Sequence, residues 1–334
     1  MAFKSFTLNQ EMYLEENIFG ELKKLPTRDG WGKALEEVGE DNNICVLTAD
    51  LSGSVRTEWF EKKYPERFFN CGVAEQNMAS VAAGLALEGK TVVFSSFAVF
   101  SPGRNWDQIR VNIAYNNLNV KFSGAHAGIT VGEDGATHQA LEDLSLMVAL
   151  PNVKVLVPSD YNQAYLALKE ALKTPGPVYI RLGREKVPVF TTLKTPFEIG
   201  KANILKDGKD LAIFACGVET YEAICAAKKL FDEGIDAAVV DFHTLKPLDR
   251  EVIKKFATTT KKILVCQEHQ INGGLFSAVA QEVVQSYPCL VRAVAVEDKF
   301  GESGKGIELL AHYGLDREGI YRKAKELANL EVIL

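Results

Sequence analysis

Short runs that are largely apolar from end to end recur along this chain, and helix-like segments separate them. ICVLTAD (44–50), TVVFSSF (91–97), VKFSGA (120–125), VKVLVPS (153–159) and VYIRL (178–182) lack the strict polar alternation of a half-exposed strand. Such strands are covered on both faces, which predicts a parallel sheet in a layered α/β domain. RFFNCG (67–72) reads as a further strand, and AEQNMASVAAGLALEG (74–89), NWDQIRVNIAYNN (105–117) and NQAYLALKEALK (162–173) as helices. A Pro- and Lys-containing stretch with little helical periodicity follows, and the alternation then restarts with DLAIFACG, DAAVVDF, KKILVCQE and VRAVAVED between helical segments. The expected organisation is an amino-terminal extension (1–26), a first α/β domain (27–188), a linker (189–208) and a smaller α/β domain (209–334). TRDGWGKALEEVGE opens the first helix at Thr27.

Length agrees with this division, since 334 residues at ~150 per domain allow two buried cores. Thirty-eight Lys and Arg against 44 Asp and Glu give a net charge of −6, which argues against nucleic-acid binding while leaving room for a local basic site. No run reaches the ~18 to 20 apolar residues of a membrane span, and the start lacks a signal peptide's apolar stretch, so a cytoplasmic protein is expected. The six cysteines form no CxxC pair and read as buried free thiols.

GESGKG (301–306) lacks the leading Gly and the following Ser or Thr of a phosphate loop, and no GxGxxG follows a strand. Three clusters carry chemistry. In CGVAEQNM a strand ends at Gly72 and a helix begins, placing Glu75 where ligands meet a parallel sheet. The helix dipole alone also favours a first-turn Glu. In SSFAVFSPGRNWDQIR, Phe97 and Phe100 stand at a strand end, a spacing that serves core packing as readily as ring stacking. SGAHAGITVGEDGATHQALEDLS (123–145) puts His126, His138 and Asp134 in a loop too Gly-rich and polar for core, where they could bond hydroxyls or a carbonyl of a polar substrate.

Together with TADLSGS, VLVPSD and EHQINGGLF, these motifs resemble, in order and from about Leu25 to the end, the pyrimidine-binding and C-terminal domains of the transketolase family. The resemblance implies thiamine diphosphate as cofactor and ketol transfer between sugar phosphates. Glu75 is then the carboxyl on the far pyrimidine nitrogen, kept protonated when needed by burial, and Phe97 and Phe100 stack on the pyrimidine and exclude water. By the same carry-over, Asp134 and His138 meet the donor's hydroxyls and carbonyl end, His138 with a catalytic role. Arg28, Ser54, His126 and Arg184 form the sugar-phosphate pocket. One departure stands out: Gly103 occupies a position where many members carry a further aromatic.

The family's GDG motif with its downstream Asn, which holds the cofactor's diphosphate through Mg²⁺ or Ca²⁺, is not found: RDG (28–30), EDG (133–135) and KDG (206–208) lack the first Gly. The resemblance therefore implies the C-terminal subunit of a split transketolase, with metal ligands on a separate N-terminal subunit. A homodimer through the pyrimidine domains and an α2β2 complex follow. Phe100 disfavours a 1-deoxyxylulose 5-phosphate synthase, and GEDGATHQ disfavours a 2-oxo-acid dehydrogenase β subunit. A non-catalytic homologue is disfavoured by the survival of Glu75, Asp134, His138 and both arginines.

Overall fold

The apolar runs become interior strands in the computed structural model, which describes residues 5–331; residues 1–4 of the amino-terminal extension and 332–334 lie outside the described residues. The first half contains β1 (Lys24–Leu25), α1 (Thr27–Val38), β2 (Ile44–Thr48), α2 (Glu58–Lys63), β3 (Phe68–Asn70), α3 (Glu75–Leu87), β4 (Thr91–Phe97), α4 (Trp106–Gln108), β5 (Val120–Ala125), α5 (Asp143–Val148), β6 (Lys154–Leu156), α6 (Tyr161–Lys173), β7 (Val178–Arg181) and β8 (Val187–Pro188). The second half contains β9 (Asn203–Lys206), β10 (Leu211–Ala215), α7 (Glu219–Asp232), β11 (Ala237–Asp241), β12 (Thr244–Lys246), α8 (Arg250–Thr259), β13 (Lys262–Gln270), α9 (Gly274–Ser286), β14 (Leu290–Val296), α10 (Gly306–His312) and α11 (Arg317–Asn329). Every residue of β2, β5, β10 and β11 is buried, as unalternating strands require.

Among the described residues, one sheet runs β12-β6-β7-β5-β4-β2-β3 and a second runs β14-β13-β10-β11-β9. Both are parallel except at one edge, where β12 and β9 pair antiparallel with β6 and β11. This is the α/β architecture expected from the sequence. Besides the two-residue pair β1 and β8, two strands were not anticipated. β9 lies inside the segment read as linker, and β12 leaves the second domain to close the edge of the first domain's sheet. Both are three or four residues long and owe their structure to long-range pairing, which short-range periodicity does not register. The helix expected at 105–117 is α-helical only over α4 and continues as a wider π-helix over Ile109–Ala114.

The described part of the amino-terminal extension packs on its own chain. Asn9 donates its backbone N–H to Leu205 O at 2.8 Å, Tyr221 Oη donates to Ile18 O at 2.9 Å, and the Phe6 and Phe231 rings meet edge-on at 5.7 Å.

VLVPSD has a structural explanation. Asp160 caps α6 by accepting the Gln163 N–H at 3.0 Å, and its other oxygen accepts the N–H groups of Phe190 and Thr191. A cap of this kind stabilises by ~1 kcal/mol. Beyond it, Ala164, Ala167, Leu168 and Ala171 are buried at helical spacing, so α6 presents one apolar face. One apolar cluster joins the halves: Phe94 and Phe122 stack at 5.2 Å in the first sheet, and Phe214, Phe242 and Phe256 continue it in the second domain. Each fully buried Phe contributes ~1.5–3 kcal/mol.

Candidate active site at the strand ends

The predicted site residues converge because they follow parallel strands that point the same way. Ser54 comes after β2, Glu75 after β3, His126 after β5 and Arg184 after β7, while Phe97 ends β4. Ligands bind at such carboxyl ends. Arg28 reaches the same edge from the first turn of α1, and the Thr27 hydroxyl beside it accepts the Gly183 N–H at 2.7 Å, tying α1 to the loop of Arg184.

Glu75 opens α3 and is 1% exposed. Its Oε2 accepts a hydrogen bond from Arg104 Nη1 at 2.9 Å, so a guanidinium, not an apolar surround, faces the carboxylate. The same guanidinium lies 4.8 Å from the centroid of the Phe100 ring. Phe100 and Phe97 stand nearly parallel, at 16° and 6.0 Å between centroids. His138 presents an edge to both rings, at 6.2 and 5.8 Å, and its Nδ1 is bonded to Thr137 Oγ1 at 2.9 Å. The His126 ring lies tilted against Phe97, at 3.9 Å between centroids.

A cationic pocket adjoins these rings. Arg28 Nη1 donates to His126 Nε2 at 2.9 Å and to the carbonyl of Ser54 at 3.0 Å. Because a guanidinium has no lone pair to offer, Nε2 is the acceptor and the proton sits on Nδ1. Burial, then Arg28, Arg184 and Arg56, push His126 down to about 3, so the ring is neutral at pH 7. Burial and the neighbouring Arg56 lower Arg28 to about 10, which still leaves it charged. Arg28 Nε and His126 Nδ1 are buried and unpartnered among the described residues. With Arg56 and Arg184 nearby, and only Asp29 Oδ1 at 4.0 Å from Arg28 Nε, these two donors are placed where an oxyanion could accept from both. His126 has φ of 55°, a left-handed conformation uncommon for a non-glycine residue and concentrated at functional sites.

Ser54 contributes its carbonyl to Arg28 rather than a hydroxyl to the pocket. Arg184 is braced by the carbonyl of Val131 and by Glu133, at 3.1 Å. Asp134 ends the 3₁₀ turn Ile129–Asp134 in an exposed position, and no hydrogen bond or ion pair ties it to the cluster among the described residues. Gly103 is explained sterically: a Cβ there would fall 2.1 Å from the carbonyl oxygen of Val99, so this turn admits no side chain, and Arg104 covers Phe100 instead. The sequence reading missed two arginines. Arg104 had a signal in its place just before the WDQIR helix. Arg56, two residues beyond Ser54, bonds Asp29 at 2.6 Å and Gly53 O at 2.7 Å, and flanks Arg28.

Comparison with known proteins agrees with the geometry. Residues 23–189 match the family model described as transketolase, pyrimidine binding domain, and residues 200–320 match transketolase, C-terminal domain. A protein of Methanocaldococcus jannaschii provisionally named a transketolase C-terminal section is 46% identical over 304 residues, covering 90% of this chain and 95% of that one. One subunit of the apulose-4-phosphate transketolase of Phocaeicola vulgatus is 39% identical, covering 87% of this chain and 94% of its own. A solved structure described as a split gene transketolase, inactive beta4 tetramer, superposes with a TM-score of 0.85 at 47% identity, covering 92% of this chain and 99% of that one. With a carboxylate, stacked phenyl rings and an arginine pocket gathered at the strand ends of the matching domains, this chain belongs to the thiamine-diphosphate-dependent transketolase family.

Proposed function

We propose that this chain is the C-terminal subunit of a two-subunit transketolase that moves a two-carbon ketol unit from a ketose phosphate to an aldose phosphate. The observation that carries the reading is the placement of one planar guanidinium. Arg104 lies on the Phe100 ring and bonds Glu75, the same two contacts a donor-bearing aminopyrimidine would make, so the residues present fit that half of thiamine diphosphate.

When bound, the cofactor supplies an electron sink for breaking and making the carbon–carbon bond. Glu75 holds the proton at the far pyrimidine nitrogen once Arg104 has withdrawn, and Phe97 and Phe100 grip the ring face and keep water away. Arg28, His126 and Arg184 bind the sugar phosphate, the first two offering Nε–H and Nδ1–H as unspent donors. His138, its Nδ1 already bonded by Thr137, has Nε2 free to exchange a proton with a sugar hydroxyl or carbonyl, and Asp134 is exposed to meet the hydroxyls.

Among the described residues no group of three or more His, Cys, Asp or Glu side chains could hold a metal ion. We assign the Mg²⁺ or Ca²⁺ and diphosphate ligands to an N-terminal partner subunit. Relatives that are themselves named as a subunit or section and align over nearly their whole length support that assignment. Self-association is supported by an apolar face: Asn112 Nδ2 donates to Ser80 Oγ at 3.1 Å, setting α3 beside the π-helix, and Val81, Val111 and Tyr115 stand exposed there. A homodimer through this face, capped by two partner subunits, gives α2β2.

Calorimetric titration of the isolated chain with thiamine diphosphate and Mg²⁺ tests the reading. Weak binding is expected, becoming tight with the partner subunit, together with turnover of xylulose 5-phosphate and ribose 5-phosphate. Tight one-to-one binding by the isolated chain would refute the division of labour.

A further inference from the structure

The second domain's loops EHQINGG (268–274) and FGESGKG (300–306) have no assigned chemistry, yet they reach into the first domain's loop 126–141. Glu268, in β13, is 3% exposed, and its Oε1 accepts the backbone N–H of Thr130 at 2.5 Å. Gly128 lies directly on this carboxylate: its φ is +89°, and a Cβ there would come within 2.3 Å of Glu268 Cδ. Arg181 underlies the contact. Its Nη2 donates to the Glu268 carbonyl at 2.8 Å, its Nη1 stands 3.9 Å from Oε2, and its Nε is bonded to Asp143. Glu219 is also fully buried nearby, and burial holds the carboxyls of both Glu219 and Glu268 above the usual range, with Arg181 opposing the rise in each.

The far end of the loop is held in the same way. Gln139 Nε2 donates to Ile129 O at 3.0 Å and to Glu302 O at 2.9 Å, and Leu141 O accepts the Gln270 N–H at 2.8 Å. His126, Asp134 and His138 therefore sit on a segment fastened to the second domain before and after its tip.

We infer that Glu268 is a positioning residue that fixes loop 126–141, and with it the sugar-phosphate contacts of the first domain. The inference rests on the reading that this loop meets the substrate. It gives the second domain a role in the reaction without any contact to the reacting atoms. Glu75, Phe97 and Phe100 lie on other elements, and the loop meets that half only where His126 and His138 touch the phenyl rings, so sugar-phosphate affinity falls much further than cofactor affinity.

Hydrogen exchange of the isolated chain and kinetics of the reconstituted complex test it together. In E268Q, amides of residues 126–141 exchange at least about tenfold faster, the KM for xylulose 5-phosphate rises about tenfold, and kcat and thiamine diphosphate affinity each stay within about threefold. Q139L, which cuts the other fastening, gives the same pattern in weaker form and serves if E268Q does not fold. Unchanged exchange in 126–141 in both variants overturns the inference, as does an equal loss of cofactor and sugar-phosphate affinity. A wild-type complex without ketol transfer would instead refute the proposed function and leave the exchange result standing.

Discussion

Arg104 Nη1 donates to Glu75 Oε2 at 2.9 Å across a sequence separation of 29 residues, with the guanidinium resting on the Phe100 ring. Under the proposed function, cofactor and arginine compete for one carboxylate and one ring face. Arg104 is half exposed and Glu75 is buried, so the pair is worth only ~0.5–1 kcal/mol. R104M in the reconstituted complex should accordingly bind thiamine diphosphate about two- to fivefold more tightly, by a titration following the fluorescence of the neighbouring Trp106. A weaker affinity would mean that Arg104 assists the cofactor instead of yielding to it.

Glu75 carries the larger burden. E75A should lower kcat by ~10² to 10⁴ in the complex while the chain keeps its fold and its partner, since one positioned acid/base group is worth that much. Activity within about threefold of wild type would remove Glu75 from the mechanism.

The oxyanion pocket makes a different distinction. In R28A, KM for xylulose 5-phosphate should rise ~10²-fold, the worth of a bidentate charged contact, whereas turnover of unphosphorylated hydroxypyruvate should change little. A similar loss with both donors would place Arg28 outside phosphate recognition.

His243, stacked on Phe197 at 4.1 Å and fully buried, is held down to about 3 by burial. The unfolded imidazole takes its proton near pH 6.5, so this group's contribution to stability is complete above that pH and is lost as the pH falls toward 3. Other buried groups also titrate in this range, so a difference between variants isolates it. Urea unfolding of wild type and H243F between pH 4 and 6 should show a slope of stability against pH smaller by ~1.4 kcal/mol per unit in the variant. Equal slopes would show that His243 is protonated in the folded chain.

Charge on the apolar face of α3 and the π-helix should break self-association. V111D is expected to halve the mass of the isolated chain in sedimentation equilibrium without changing its circular dichroism. An unchanged mass would place the contact between copies elsewhere.

Residues whose positions follow from their strand were legible in the sequence. Glu75, Phe97, His126 and Arg184 each stand at or just beyond an apolar run, and the topology of a parallel sheet then gathers them. What the sequence hid was tertiary. Nothing local to Arg104 or Arg56 says that a carboxylate and a second guanidinium lie beside them. Glu268 reads as the end of a buried strand until Thr130 comes within reach across 138 positions. Lys121 looks like a break in its apolar run, and the fold accommodates it by bonding its Nζ to Asn119, Thr174 O and Gly176 O.

The short strand Thr244–Lys246 belongs by sequence to the second domain and by hydrogen bonding to the sheet of the first. An exchange of second domains among relatives would therefore carry away a border of the first domain's sheet, leaving Val155 and Leu156 as a raw edge open to pairing with other chains. The two domains must be inherited together, because a recombination point in the segment that looks like a linker strips β12 from the first sheet, and one beyond Lys246 splits the second sheet between β10 and β13.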